Sequence, residues 1–197
     1  YSASKDQTTE VSFAVCTIKH FPSLIQHTIH YALDDFNGLF VKWPQVAKTY
    51  LTNKEQLVNL DQNELVNIHN YLSKLFKVLN KITSAISYIE WAYSIWYDHF
   101  NHKIAKLLEL YPEDKLNEDG SKFWTAGKRC PKIIQYVTHL DEFKDYIFAT
   151  TMLLINTYSI KNNQSDDQTD YNIKQLINTY NYNNVNVSDY EINVESN

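Results

Sequence analysis

Glycine and proline are scarce, three and four in 197 residues. Tight turns draw on both, so their scarcity argues against a turn-rich all-β fold and for long helices. Cysteine is scarcer still. Cys16 and Cys130 stand far apart, and YSASKDQTTE at the N-terminus is no secretory leader. The two therefore read as reduced thiols in an intracellular protein rather than as a disulfide. No apolar run approaches the ~20 residues of a membrane span. There is no G-x-G-x-x-G turn after a strand, no glycine-rich phosphate loop ending in Lys and Ser or Thr, and no strand–helix alternation. Nothing in the chain is suited to hold ATP. Charge of one sign is missing from most of it: the net charge is −5, and residues 161–197 account for most of that, with two Lys against six Asp and Glu. The remainder is near neutral and offers no field for nucleic acid or an anionic membrane.

What is present is helical periodicity and aromatic bulk, 14% Phe, Trp and Tyr. Residues 1–12 are polar and aperiodic and read as a linker. A helix is expected from Ser23 to Phe40, with Ser23 as N-cap, Gln26 completing a capping box, and Ile25, Ile29, Ala32, Leu33, Phe36 and Phe40 on one face. Trp43-Pro44 reads as a break before a short helix with Val46, Ala47, Tyr50 and Leu51. Asp61 and Glu64 form a second capping pair, opening a helix whose face is Leu65, Ile68, Leu72, Leu75, Phe76 and Leu79. The longest periodic run, Thr83 to Leu110, predicts a helix of roughly 40 Å, long enough to serve as a spine. Six aromatics within Tyr88–Phe100 wrap more than one of its faces and read as core packed on several sides. Residues 112–137 read as a loop with a turn at Asp119-Gly120, and a last helix is expected from Leu140 to Tyr158. The final stretch, 161–197, holds ten Asn and reads as a low-complexity, largely disordered tail or insertion. Only YNIKQLINTY from Tyr171 carries a weak amphipathic pattern. The fold class is all-α: an irregular multi-helix domain, residues 13–160, around one long central helix.

The chemistry centres on FAVCTIKHFPSLIQHTIHYALDDFNGLF, Phe13 to Phe40. Pro22 keeps the first helix from running back into the cysteine, so Cys16 sits on an extended lead-in about two turns before a helix N-terminus. The partial positive charge there, with Lys19 and a protonated His20, favours a thiolate if the fold brings the sulfur near. Pattern alone makes Cys16 a candidate reactive thiol.

CTIKHFP followed by IxHTIxYAxDDFxGLF resembles the catalytic-cysteine segment of ubiquitin-activating enzymes, in which CTxKxFP runs into a helix of the form IEHTxxWAxDxFxGLF. FWTAGKRCP, Phe123 to Pro131, is similar to that family's FWxGxKRCP with the glycine one place later. DYIFATTMLL from Asp145 resembles its DYVxAAxNL helix. The resemblance implies the second catalytic-cysteine half-domain of such an enzyme, an ATP-dependent ligase of cytoplasm and nucleus. It implies that Cys16 attacks ubiquitin adenylate, forms a thioester, and hands ubiquitin to the cysteine of a ubiquitin-conjugating enzyme. Thr17 and Lys19 match the motif as supporting residues, Thr17 near the sulfur or the developing oxyanion and Lys19 lowering the thiol pKa. ATP and Mg would belong to an adenylation domain of the same polypeptide, outside this chain, which is then inactive alone. No cofactor and no metal are expected here, since the pairs His27/His30 and His99/His102 lack completing ligands. Cys130, before Pro131, reads as structural, and Lys128 and Arg129 as a solvated basic turn or contacts for a partner carboxylate. Two other readings remain open from residues alone. One is a stand-alone cysteine hydrolase, which needs a histidine base beside Cys16; the other is a helical interaction module without chemistry.

Overall fold

The computed structural model describes residues 24–53, 55, 60–159 and 167–191. Its elements are α1 (Ile25–Asn37), α2 (Trp43–Thr52), α3 (Gln62–Leu79), α4 (Ala85–Tyr97), α5 (Lys103–Leu110), α6 (Asp141–Tyr158) and α7 (Asp167–Thr179). Short 3-10 turns follow at Tyr182–Asn184 and Val187–Tyr190. The described residues form an all-α domain with only isolated bridges, Leu116 with Lys122 and Thr125 with Lys128.

Two helix pairs are joined by π-turns that periodicity alone did not predict. α1 runs into α2 through Gly38–Lys42, so Trp43-Pro44 is not a break but the start of the continuing helix. The local chemistry accounts for this. Trp43 N–H donates to the Gly38 carbonyl, five residues back, and Pro44 has no N–H to give. The Leu39 carbonyl thus has no helical donor at α or π spacing, and the Tyr158 hydroxyl donates to it instead. Tyr158 also lies 3.3 Å from the Tyr71 hydroxyl, and Tyr71 stacks on Trp43 at 4.0 Å between ring centroids. Burial raises both phenols, Tyr158 to about 12, so they stay neutral hydrogen-bonding groups.

The predicted spine is present from Ala85 to Leu110, interrupted by a π-turn at Asp98–His102 between α4 and α5. Lys103 N–H donates to the Asp98 carbonyl there. The widened turn receives the crossing loop: Ile134 N–H donates to the Phe100 carbonyl at 2.9 Å, and Asn101 Nδ2 donates to the Ile134 carbonyl at 3.2 Å. Ile89, Trp91, Ala92 and Trp96 of the spine pack with Ile147 and Leu154 of α6 and with Tyr71, Leu72, Leu75 and Val78 of α3. The Asp61–Glu64 capping box holds as expected, with Glu64 N–H 2.8 Å from Asp61 Oδ1. Gly120 has φ +80°, the left-handed geometry that a turn after Asp119 requires and that glycine supplies.

The expectation of a disordered, low-complexity tail at 161–197 is corrected over residues 172–191. Ile173 and Ile177 of α7, with Tyr182 and Tyr190 beyond it, are core residues. Tyr180 and Tyr190 donate to the two carboxylate oxygens of Glu90 on the spine, and Ser94 Oγ donates to the Val187 carbonyl at 3.0 Å. The Asn-rich composition conceals four apolar anchors and a pair of tyrosine clamps.

One core hydroxyl is out of place. Thr151 is fully buried and its Oγ1 has no hydrogen-bond partner among the described residues. Thr151→Val keeps the shape and removes the stranded polar atom, so it is expected to raise unfolding free energy by about 1 kcal/mol. Urea unfolding midpoints check this; a lower midpoint for the variant contradicts it.

Candidate functional site

Cys16, Thr17 and Lys19, together with His20 and Ser23, lie outside the described residues. The structure bears on them through what they lead into, the helix α1. Its start differs from expectation. Leu24 is the extended residue before the helix, φ −118° and ψ 152°, so the cap position is one residue later than Ser23. That makes His27 rather than Gln26 the third helical residue. Leu24 N–H donates to His27 Nδ1 at 3.4 Å, the reciprocal half of a cap supplied by a buried imidazole. A ring nitrogen occupied in this way is a poor candidate for a base serving Cys16.

The orientation of α1 is the larger correction. Most of the apolar face read from the sequence is exposed, with Ile25 at 67%, Ile29 58%, Leu33 52% and Phe36 42%, while Phe40 at its end packs against the core. The side that meets the body is polar, with His27 only 4% exposed and Tyr31 and Asp35 half-buried. Asp35 Oδ1 lies 3.4 Å from His99 Nε2 in the spine's π-turn. Lys103 Nζ donates to the Tyr31 hydroxyl at 3.4 Å and pairs with Asp98 Oδ2 at 2.9 Å. Burial alone would push the Asp35 carboxyl up; the His99 hydrogen bond and the His99 and Lys103 charges outweigh it and hold it below the ordinary range. Lys103 is raised, because Tyr31, Asp98 and Asp35 outweigh its desolvation. Stability from Asp35 is thus present above its unfolded-state pKa and is lost as pH falls through the lower folded value.

Among the described residues, His99 and His102 do not share a group of metal-ligating side chains. His102 instead joins Asp98 and Glu191, whose ligand-type atoms lie within 4.8 Å of one another. Lys103 already neutralises Asp98, so a cation would have to displace an ammonium. His27 and His30 gain no carboxylate or thiol partner in any such group among the described residues.

The FWTAGKRCP loop is a packed structure. Trp124 Nε1 donates to the Tyr111 and Pro112 carbonyls at 3.2 and 3.0 Å. Phe123 stacks on Tyr111 at 4.6 Å, and Lys128 Nζ sits 3.7 Å over the Phe123 ring. Lys128 is therefore a cation–π cap on an aromatic pair, not a solvated charge. Cys130 Sγ lies 3.7 Å from the Pro131 carbonyl, and burial with the nearby Glu113 charge pushes its thiol up. A thiol shifted in that direction is a weaker nucleophile, which fits a structural role.

Comparison with known proteins agrees with this architecture. Residues 22–197 match the family described as ubiquitin-activating enzyme, SCCH domain. The chain is 30% identical over 167 residues to human ubiquitin-like modifier-activating enzyme 1 and 32% identical over 162 residues to that of Dictyostelium discoideum. It is 34% identical over 167 residues to ubiquitin-activating enzyme E1 1 of Schizosaccharomyces pombe. These alignments cover 82–83% of this chain and 16% of each relative, so the chain spans about a sixth of their length. The chain belongs to the ubiquitin-activating enzyme family, as a catalytic-cysteine half-domain.

Proposed function

We propose that Cys16 is the acceptor thiol of a ubiquitin-activating enzyme. Its thiolate attacks the carbonyl carbon of the ubiquitin C-terminal acyl-adenylate; the C–S bond forms, the acyl–phosphate C–O bond breaks, and AMP leaves with the electron pair. A conjugating-enzyme thiolate then attacks the same carbonyl and Cys16 departs as thiolate. A sulfur acceptor suits both halves, since a thioester carbonyl stays open to a second thiolate. Thr17 and Lys19 assist, through a hydrogen bond near the sulfur or oxyanion and a lowered thiol pKa. The observation that carries the reading is CTIKHFP placed directly before α1, in a chain whose residues 22–197 match the family.

ATP and Mg are assigned to the adenylation part of the same polypeptide, because this chain has no nucleotide-binding motif. Residues 13–160 with the α7 segment then form the half-domain, inactive alone and working in cytoplasm and nucleus. The test is full-length enzyme incubated with ubiquitin, ATP and Mg. The adduct is expected to be released by dithiothreitol and to pass to an added conjugating enzyme. An adduct that resists the reductant contradicts a thioester.

A further inference from the structure

We propose that the outward apolar stripe of α1 is an interface inside the full-length enzyme, covered by a part of the same polypeptide outside residues 1–197. Which cysteine accepts ubiquitin has no bearing on it.

α1 has two faces with different tasks. At about 100° per residue, His27, Tyr31 and Asp35 form one line along it, and Ile25, Ile29, Leu33 and Phe36 form another about 150° away. The first line is occupied. His27 is buried, the Tyr31 hydroxyl accepts from Lys103 Nζ at 3.4 Å, and Asp35 Oδ1 lies 3.4 Å from His99 Nε2. Turning the helix to bury the stripe would break both contacts, so the polar seat holds the stripe outward. With Leu24 at its head, the stripe comprises five large apolar side chains, each 42–67% exposed. A single exposed Leu or Ile is ordinary on a protein surface. Five in one row are not. They present a few hundred Å² in one strip, the scale at which exposed apolar surface serves an interface.

Charge and size select the occupant. α1 contains two Asp and no Lys or Arg, so it lacks the cations that hold an amphipathic helix on a lipid surface. A separate protein, or a second copy of this chain, would need about 800 Å² on each partner for a stable complex, more than the stripe offers. Contacts between domains of one chain are smaller, about 600–1,500 Å² in total over both sides, and the stripe fits that class. Attachment adds to the preference. A tethered surface is present at about millimolar effective concentration, ~10³-fold above a free partner at about 1 μM. About five sixths of the relatives' length lies outside the stretch matched by this chain, so the polypeptide has further surface to supply the cover.

The experiment uses full-length enzyme carrying the photo-crosslinker p-benzoylphenylalanine in place of Ile29 or, in a second preparation, of Leu33. Each is irradiated without ubiquitin or conjugating enzyme, and crosslinked peptides are mapped by mass spectrometry. Asp34, exposed on a flank of α1, is replaced in the same way as the control. Ile29 and Leu33 are outside the core of this domain, so a bulky replacement leaves that core intact. Unchanged ATP–pyrophosphate exchange confirms a folded enzyme. The expected product has monomer mass, with crosslinks from position 29 or 33 to peptides outside residues 1–197, at least fivefold above the Asp34 control. If one preparation fails to fold, the other reads the same stripe. Crosslinks confined to residues 1–197, a product of dimer mass, or yields no higher than the control each overturn the proposal.

Discussion

Cys16→Ala in the full-length enzyme is expected to leave no detectable ubiquitin thioester while ubiquitin-adenylate formation, followed by ATP–pyrophosphate exchange, proceeds at the wild-type rate. The separation follows from where the two chemistries sit. Adenylation joins a carboxylate to AMP and needs a nucleotide site, for which this sequence has no motif. The second step needs a nucleophile that also leaves well, and removing the sulfur removes the only bond that the acyl group can form there. Cys130→Ala should charge normally, because partial burial and the nearby Glu113 charge push its thiol up, the opposite of what an activated nucleophile needs. Loss of exchange together with the thioester in the Cys16 variant would contradict the division, and so would a fully charged Cys16→Ala enzyme.

Removing residues 160–197 is expected to unfold the domain rather than trim it. Ile173, Ile177, Tyr182 and Tyr190 are each at most 8% exposed. Their partners on α6 and the spine would be laid open to water. At about 1.5–3 kcal/mol per buried side chain the loss is about 6–12 kcal/mol, an upper figure because the unfolded chain is itself partly compact. Whole domains are stable by only about 5–15 kcal/mol. The Glu90 carboxylate would also lose both tyrosine donors. Circular dichroism melts of the 1–197 and 1–159 chains decide the matter. A cooperative transition for the shorter chain within a few degrees of the longer one would mean that the tail only decorates the fold.

The elements that sequence made legible are those specified locally. The Asp61–Glu64 cap, the Asp119-Gly120 turn and the apolar run of the spine need no distant partner to declare themselves. What escaped was decided by tertiary contact. The π-turn at Gly38–Lys42 had a local sign in Pro44, but the acceptor it strands is satisfied by Tyr158, far along the chain. α1 has a clear apolar stripe, yet the side of it that meets the spine carries Tyr31 and Asp35, whose partners are Lys103 at the start of α5 and His99 in the second π-turn. The tail escaped because scattered Asn and Asp dominate its composition, while its four anchors act through α6, the spine and Glu90. YNIKQLINTY was the one visible trace of them. The candidate site is the opposite case. Cys16, Thr17 and Lys19 are legible from motif alone, because CTIKHFP declares itself without any distant partner.

Everything proposed for this chain depends on which sulfur accepts ubiquitin. Full-length enzyme, charged with ubiquitin and ATP, digested at acid pH to preserve thioesters and mapped by mass spectrometry, gives the answer directly. The predicted result is the ubiquitin C-terminal remnant on the peptide containing Cys16. A remnant on Cys130, or on a cysteine elsewhere in the polypeptide with Cys16 unmodified, would contradict it.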